Sequence, residues 1–232
     1  MTGHSSYIAT FSGIDGAGKS TQIELAAAHL EQVGYRTTRV AFWDDVAVFP
    51  QFRTALSTKA FTQKADASQP LPLRNDKNIR TWYLTLVRSF FYAVDTFYLR
   101  RVIKRLRSLP VDFIIFDRYV YDLLVQVRSR SWLARTYIRA LIALAPTPSV
   151  AFVLDASPDE AFLRKPEYPL AFMHEYRRGF LDLRAFVPEL TVISPGSIES
   201  VHEQIVGHLL NSMSPSKTQK ALIPNQGDPT SP

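Results

Sequence analysis

The sequence predicts an α/β domain in which parallel strands are joined by helical crossovers. Three observations carry that expectation. Short apolar runs bounded by turn residues alternate with longer stretches of helical spacing. The first run, Tyr7 to Phe11, leads directly into the glycine-bearing turn Ser12-Gly13-Ile14-Asp15-Gly16-Ala17-Gly18 and then into a helix. A later run, Val111 to Asp117, is apolar but for Asp112 and ends in an acid. A chain of 232 residues suits one such domain, or one domain and a tail, and 46% apolar residues supply a sizeable core.

The first strand–turn–helix is the centre of the reading. Gly13, Gly18, Lys19 and Ser20 complete the spacing G-x-x-x-x-G-K-[ST], a phosphate-binding loop. Glycines let the backbone curl into a nest of N–H groups, and the helix starting near Lys19 adds its positive end. Gly13, Asp15, Gly16, Ala17, Gly18, Lys19, Ser20 and Thr21 are the expected nucleotide-binding residues. Lys19 would reach the β- and γ-phosphates of ATP, and the Ser20 hydroxyl would hold Mg²⁺. Ile23, Ala26, Ala27, Leu30 and Val33 recur at helical spacing, and Gly34 stops the helix.

A second strand is expected over Tyr35 to Trp43. Asp44 to Pro72 shows no sustained period, and Thr62 to Pro72 reads as a polar loop. A long helix should begin near Asn78, capped by Asn75 or Asp76, and run to Ser108 before Pro110. After the Val111–Asp117 strand come a helix over Trp132 to Leu144 and a strand over Ser149 to Asp155. Ser157-Pro158-Asp159-Glu160 offers an N-cap, a first-position proline and a capping box. Phe172, Tyr176, Phe180 and Leu183 mark another helix. A short strand, Leu190 to Ser194, precedes a helix from Ser197 to Asn211. The expected domain spans residues 1–212, and the Ser, Pro, Thr, Gln and Lys of residues 213–232 form a disordered tail.

In parallel α/β sheets the ligand sits at the carboxyl ends of the strands, where Gly13, Asp44, Asp117 and Asp155 all fall. Asp117 is the natural second Mg²⁺ ligand, because the ion needs an oxygen-rich shell beside the phosphates. The adjacent Arg118 could clamp a second phosphate bidentately. Net charge +6 suits an anionic partner, and nucleotide phosphates satisfy it. The absence of cysteine excludes disulfides and thiolate chemistry, and the five histidines lack metal-ligand spacing. Arg88 and Asp95 interrupt the best membrane candidate, Trp82 to Leu99, and Pro146 and Pro148 break Leu141 to Ala156. A soluble cytoplasmic protein with no membrane or nucleic-acid partner is expected. The basic run Arg100, Arg101, Lys104, Arg105 and Arg107 reads as a solvated face. Arg128-Ser129-Arg130 lies near enough to the cleft to meet an anion.

Phe11 to Thr21 followed by Asp117-Arg118-Tyr119 resembles the thymidylate kinase family of P-loop nucleoside monophosphate kinases. Phe90-Phe91-Tyr92-Ala93-Val94-Asp95 and Arg177-Arg178-Gly179-Phe180-Leu181-Asp182-Leu183 resemble two further family segments, so the likeness spans about residues 7 to 210. The resemblance implies a three-layer P-loop NTPase fold, a five-stranded parallel sheet in order 2-3-1-4-5, and a short lid. It also implies ATP- and Mg²⁺-dependent phosphorylation of a nucleoside monophosphate, dTMP in the family. Asp15 would help place the acceptor, and Arg118 would bind its phosphate. Tyr92 would stack on the base, with Asp95 and Tyr119 alongside; the alternative for Tyr92 is a core position on an aromatic-rich helix. A homodimer is implied by the resemblance alone, with the long aromatic helix as its surface.

Three departures bear on the acceptor. Phe42-Trp43-Asp44-Asp45-Val46-Ala47 has neither the arginine nor the glycine pair of the family's segment. Thr96 follows Asp95 where the family commonly has Arg, and Asp122-Leu123-Leu124-Val125-Gln126 replaces a serine-bearing stretch. A kinase for another small acceptor, such as a deoxynucleoside or metabolite, and a silent ATP-binding regulatory module therefore stay open beside the first reading. Gly16 brings no charge into the loop, so the transferring phosphoryl needs a cation from the lid. Arg164 is the first candidate and Arg177 the second.

Overall fold

A computed structural model describes residues 6–48, 82–127 and 131–213 of the chain. The polar loop at Thr62–Pro72, the cap at Asn75 or Asp76, the basic triplet at 128–130 and the tail beyond Met213 lie outside the described residues. Five strands form one sheet: β1 (Tyr7–Ser12), β2 (Thr37–Ala41), β3 (Phe113–Asp117), β4 (Val150–Leu154) and β5 (Leu190–Ile193). Their order is β2-β3-β1-β4-β5 and every pairing is parallel. The helices are α1 (Lys19–Gln32), α2 (Trp82–Leu106), α3 (Val120–Leu124), α4 (Trp132–Leu144), α5 (Pro158–Arg164), α6 (Leu170–Asp182) and α7 (Ile198–Met213).

Side-chain alternation along the strands builds two cores. Ala9, Phe11, Ile115, Phe152 and Leu154 point to one face, where Ile23, Ala26, Ala27 and Leu30 of α1 meet Ile205 and Leu209 of α7. Ile8, Ile114, Phe116, Ala151 and Val153 point to the other, under α2, α4 and α6. Both faces are covered, so the strands read as continuous apolar runs. Phe116 is fully enclosed at the centre of the second face. Phe116→Ala should lower unfolding free energy by about 3–5 kcal/mol, read from the urea midpoint.

Four local expectations need correcting. Val33, placed at helical spacing with Ile23, Ala26, Ala27 and Leu30, lies just past the helix, which ends at Gln32, and is exposed in the turn toward Gly34. The second strand stops at Ala41 instead of running to Trp43. There the chain winds into a single π-helical turn, Phe42–Val46, closed by Ala47 N–H on Phe42 O at 2.8 Å. The turn drops Phe42 into the core and stacks Trp43 edge-on against it. The capping box at Ser157 does not form: Pro158 occupies its expected place, but the Ser157 side chain makes no cap bond. Glu160 turns toward Arg164 instead, at 3.6 Å. The short α3 was not expected; its residues are all buried, so no amphipathic period marks it. No helix among the described residues is long and apolar enough to cross a membrane.

Candidate active site

The turn between β1 and α1 lies at the carboxyl edge of the sheet, beside the ends of β3 and β4. Gly13 has φ +141°, and a Cβ there would lie 2.6 Å from Leu154 O at the end of β4. Gly16 has φ +83°, and its Cβ would lie 2.7 Å from Ala161 O in α5. Both positions combine a left-handed backbone with a close approach, which only glycine accommodates. The loop is thereby wedged between β4 and α5.

Lys19 opens α1 and is nearly enclosed. Its Nζ donates to Gly13 O at 3.0 Å and Ile14 O at 2.9 Å, and lies 3.9 Å from Asp15 Oδ1. Burial, reinforced by the Arg118 charge, lowers its pKa to about 8 against the pull of Asp122, Asp15 and Asp117. Ser20 and Thr21 are exposed on the first turn.

Asp117 ends β3 in register with Phe11 of β1. Burial raises its pKa, opposed by Lys19 and Arg118. Arg118 follows with φ 68°, an uncommon conformation for a side chain of its size. Its backbone N–H donates to Phe11 O at 2.9 Å, holding that turn onto the neighbouring strand. Its Nη1 donates to Asp122 Oδ1 at 2.9 Å and its Nη2 bonds Asp15 Oδ1. Burial works against its charge, but Asp122 and Asp15 outweigh that and raise its pKa, so the guanidinium is permanently cationic. Lys19 and Arg118 thus approach Asp15 from two segments more than 90 residues apart in sequence.

The other expected residues are less directly at the loop. Tyr92 is buried, with its hydroxyl on Gln126 Oε1 at 2.9 Å. Asp95 is fully buried and accepts from Val48 N–H at 2.8 Å. The Tyr119 ring is also enclosed, and its hydroxyl donates to Pro146 O. Arg164 is exposed and paired with Glu160. Arg177, the second lid candidate, instead makes a two-pronged bond with Asp155 just past β4, at 2.5 and 2.6 Å. Asp44 was expected to face the cleft with Gly13, Asp117 and Asp155. It is exposed on the π-helical turn, and its neighbour Asp45 makes the bond to the strand end, accepting from Ala41 N–H at 2.7 Å. The basic run on α2 is exposed; Arg101 lies over Phe97 and Arg100 donates to Leu144 O.

Two features escaped the sequence reading. One is Asp122, fully buried and bonded to Ser12, Arg118 and Tyr119. The other is a cavity past the ends of β4 and β5, lined by Ala17, Asp155, Arg164, Ser194, Gly196 and Val201. The sequence signal for it was Ser194-Pro195-Gly196, a turn at a strand's carboxyl end.

The donor chemistry suits nucleotide and metal. Positive-φ glycines shape an N–H nest beside the Lys19 ammonium, although no group of three or more acidic or histidine side chains converges as a metal site among the described residues. Ser20 and Asp117 are oxygen donors of the kind Mg²⁺ takes.

Such a loop on such a sheet defines a P-loop NTPase fold. No family model matches the chain. It is 28% identical over 195 residues to a thymidylate kinase of Chlorobium luteolum, spanning 75% of this chain and 82% of the relative. It is 26% identical over 216 residues to a probable thymidylate kinase of Pyrococcus abyssi, spanning 86% and 94%. Its fold matches the crystal structure of thymidylate kinase from Ehrlichia chaffeensis with TM-score 0.57 and 20% identity, covering 88% of this chain and 98% of that one. The chain is thus similar to thymidylate kinases in sequence over most of its length, and it shares their fold.

Proposed function

We propose that the chain transfers the γ-phosphoryl of ATP to a nucleoside monophosphate, with dTMP the first acceptor to test. The observation that carries this reading is the convergence of two cations, the buried Lys19 from the loop and the partly buried Arg118 from the end of β3, on the carboxylate of Asp15. A donor phosphate in the loop and an acceptor phosphate at Arg118 would then lie side by side. Lys19 and the loop N–H groups from Gly13 to Thr21 hold the donor phosphates. Arg118 holds the acceptor, and Asp15 orients it. Tyr92, Asp95 and Tyr119 shape the acceptor side from within the core. The cavity beyond Ala17 takes the ATP base, with Arg164 on its rim as the candidate lid cation. Ser20 and Asp117 would hold Mg²⁺, whose chemistry is to neutralise charge on the transferring phosphates. The protein's own contribution is positioning and fixed positive charge.

Labelled ATP offered with a panel of monophosphates, nucleosides and sugars tests the reading. Transfer to a monophosphate supports it, and transfer only to a nucleoside or sugar replaces it with a small-acceptor kinase. That second reading is favoured by the π-helical turn at Phe42–Val46, which offers no arginine to an acceptor. ATP affinity without transfer to anything in the panel marks a silent regulatory module.

A proton should accompany ATP. Near pH 8 about half of Lys19 is neutral in the free protein, since its pKa is lowered to about 8. Phosphate oxygens beside Nζ favour the charged form, so binding at pH 8 takes up about half a proton per site and uptake fades toward pH 6.5. Titration calorimetry in buffers of differing ionisation enthalpy reads this directly, and Lys19→Ala should show none of it.

A further inference from the structure

Arg118 divides its guanidinium between two carboxylates that are not equivalent. Asp122 is fully enclosed. Its Oδ2 accepts from Ser12 Oγ at 2.6 Å and from Tyr119 N–H at 3.2 Å, and its Oδ1 accepts from Arg118 Nη1 at 2.9 Å. Its backbone carbonyl accepts from Tyr176 Oη of α6 at 3.2 Å and from Gln126 Nε2 at 3.3 Å. Three elements therefore pin this one residue: β1 through Ser12, the β3 turn through Tyr119 and α6 through Tyr176. Asp15, by contrast, keeps 16% of its side chain exposed at the loop and has Lys19 beside it.

The two bonds therefore differ in what breaking them would leave behind. Parting Arg118 from Asp122 strands an interior carboxylate without its counter-ion. Parting Arg118 from Asp15 leaves a carboxylate with water and an ammonium at hand. An arriving anion competes for the guanidinium at its more exposed attachment, the one to Asp15.

We propose that Asp122 is the positioning residue of Arg118: its bond to Nη1 persists while Nη2 exchanges Asp15 for the phosphate of the acceptor. Arg118 then works as an arm clamped at one side, already aimed when the acceptor arrives, and the exchange frees Asp15 to face the acceptor it is proposed to orient. The left-handed backbone at Arg118 belongs to the same device, because its N–H on Phe11 O and its side chain on Asp122 fix the residue at both ends. This inference rests on the kinase reading for the identity of the anion, and on geometry alone for the clamp.

Steady-state kinetics test it on Ser12→Ala, Asp122→Asn, Arg118→Ala and Asp122→Asn/Arg118→Ala, using whichever monophosphate the panel identifies. Asp122→Asn should raise the acceptor KM by about 10-fold while ATP affinity stays within about twofold. Ser12→Ala, which removes one hydroxyl and endangers the fold least, should move KM in the same direction by less. In the Arg118→Ala background, Asp122→Asn should cost the acceptor nothing further. Additive losses in the double variant, parallel losses of ATP and acceptor affinity, or an unchanged KM would each overturn the proposal. If the wild type phosphorylates no monophosphate, the kinase reading fails, and the clamp is read separately by ¹⁵N NMR of the arginine side chains. Arg118 signals, identified by their loss in Arg118→Ala, should exchange slowly in the wild type and broaden in Asp122→Asn; identical behaviour in the two would end the proposal.

Discussion

Lys19→Ala is expected to reduce phosphoryl transfer by about a thousand-fold or more, with the fold left standing. No other described cation lies inside the loop; Arg118 reaches it from the end of β3, bonded to Asp122 and Asp15, and is assigned to the acceptor. The fold should survive because Lys19 is a burden on it as well as a support. Its ammonium ties two loop carbonyls, yet burial lowers its pKa to about 8 from 10.5. The sign of the pH effect follows. Between those values the unfolded chain binds more protons than the folded one, so this group makes stability rise with pH across the window. Wild type should therefore gain on Lys19→Ala in urea unfolding as pH climbs from 8 toward 10.5. Wild-type-like turnover in the variant would remove Lys19 from the mechanism, and a stability difference independent of pH would contradict its buried charge.

Gly13→Ala should be nearly as damaging by a different route. The new methyl meets Leu154 O at 2.6 Å, and a backbone carbonyl at the end of a central strand cannot swing away. The φ of +141° adds conformational strain, together on the order of 2–4 kcal/mol. Relief comes only by lifting the loop off β4, which misaims the N–H groups meant for phosphate. Thermal denaturation should show a loss of several degrees, and ATP should no longer raise the midpoint of the variant as it does for the wild type.

The sheet and the loop were legible because their signals are local. Gly13, Gly18, Lys19 and Ser20 carry their geometry within eight residues, and Val111 to Asp117 declares itself by composition. The order of the strands came from family resemblance, and the parallel pairing of β2, β3, β1, β4 and β5 bears it out. Asp122 was not legible as a partner of Arg118. An acid one turn past a strand normally faces water, and nothing in Val120 to Leu124 announces that its carboxylate is enclosed by Ser12, 110 residues earlier. The tyrosines were ambiguous for the opposite reason. Tyr92 and Tyr119 have the same chemistry whether they face a ligand or fill a core, and the structure encloses both rings. Phe42 and Trp43 continue an apolar strand pattern, but the structure winds them into a π-helical turn with Phe42 buried.

The contact between Gly16 and Ala161 constrains the history available to this protein. A kinase that carries its transition-state cation in the loop needs a side chain at a position such as this one. Here a first carbon atom would already lie 2.7 Å from the carbonyl of α5. A single codon change to arginine would therefore have to displace a helix before it could supply a charge. On the kinase reading proposed above, that close approach disfavours a cation carried at Gly16, and the charge would come from a separate segment of the chain.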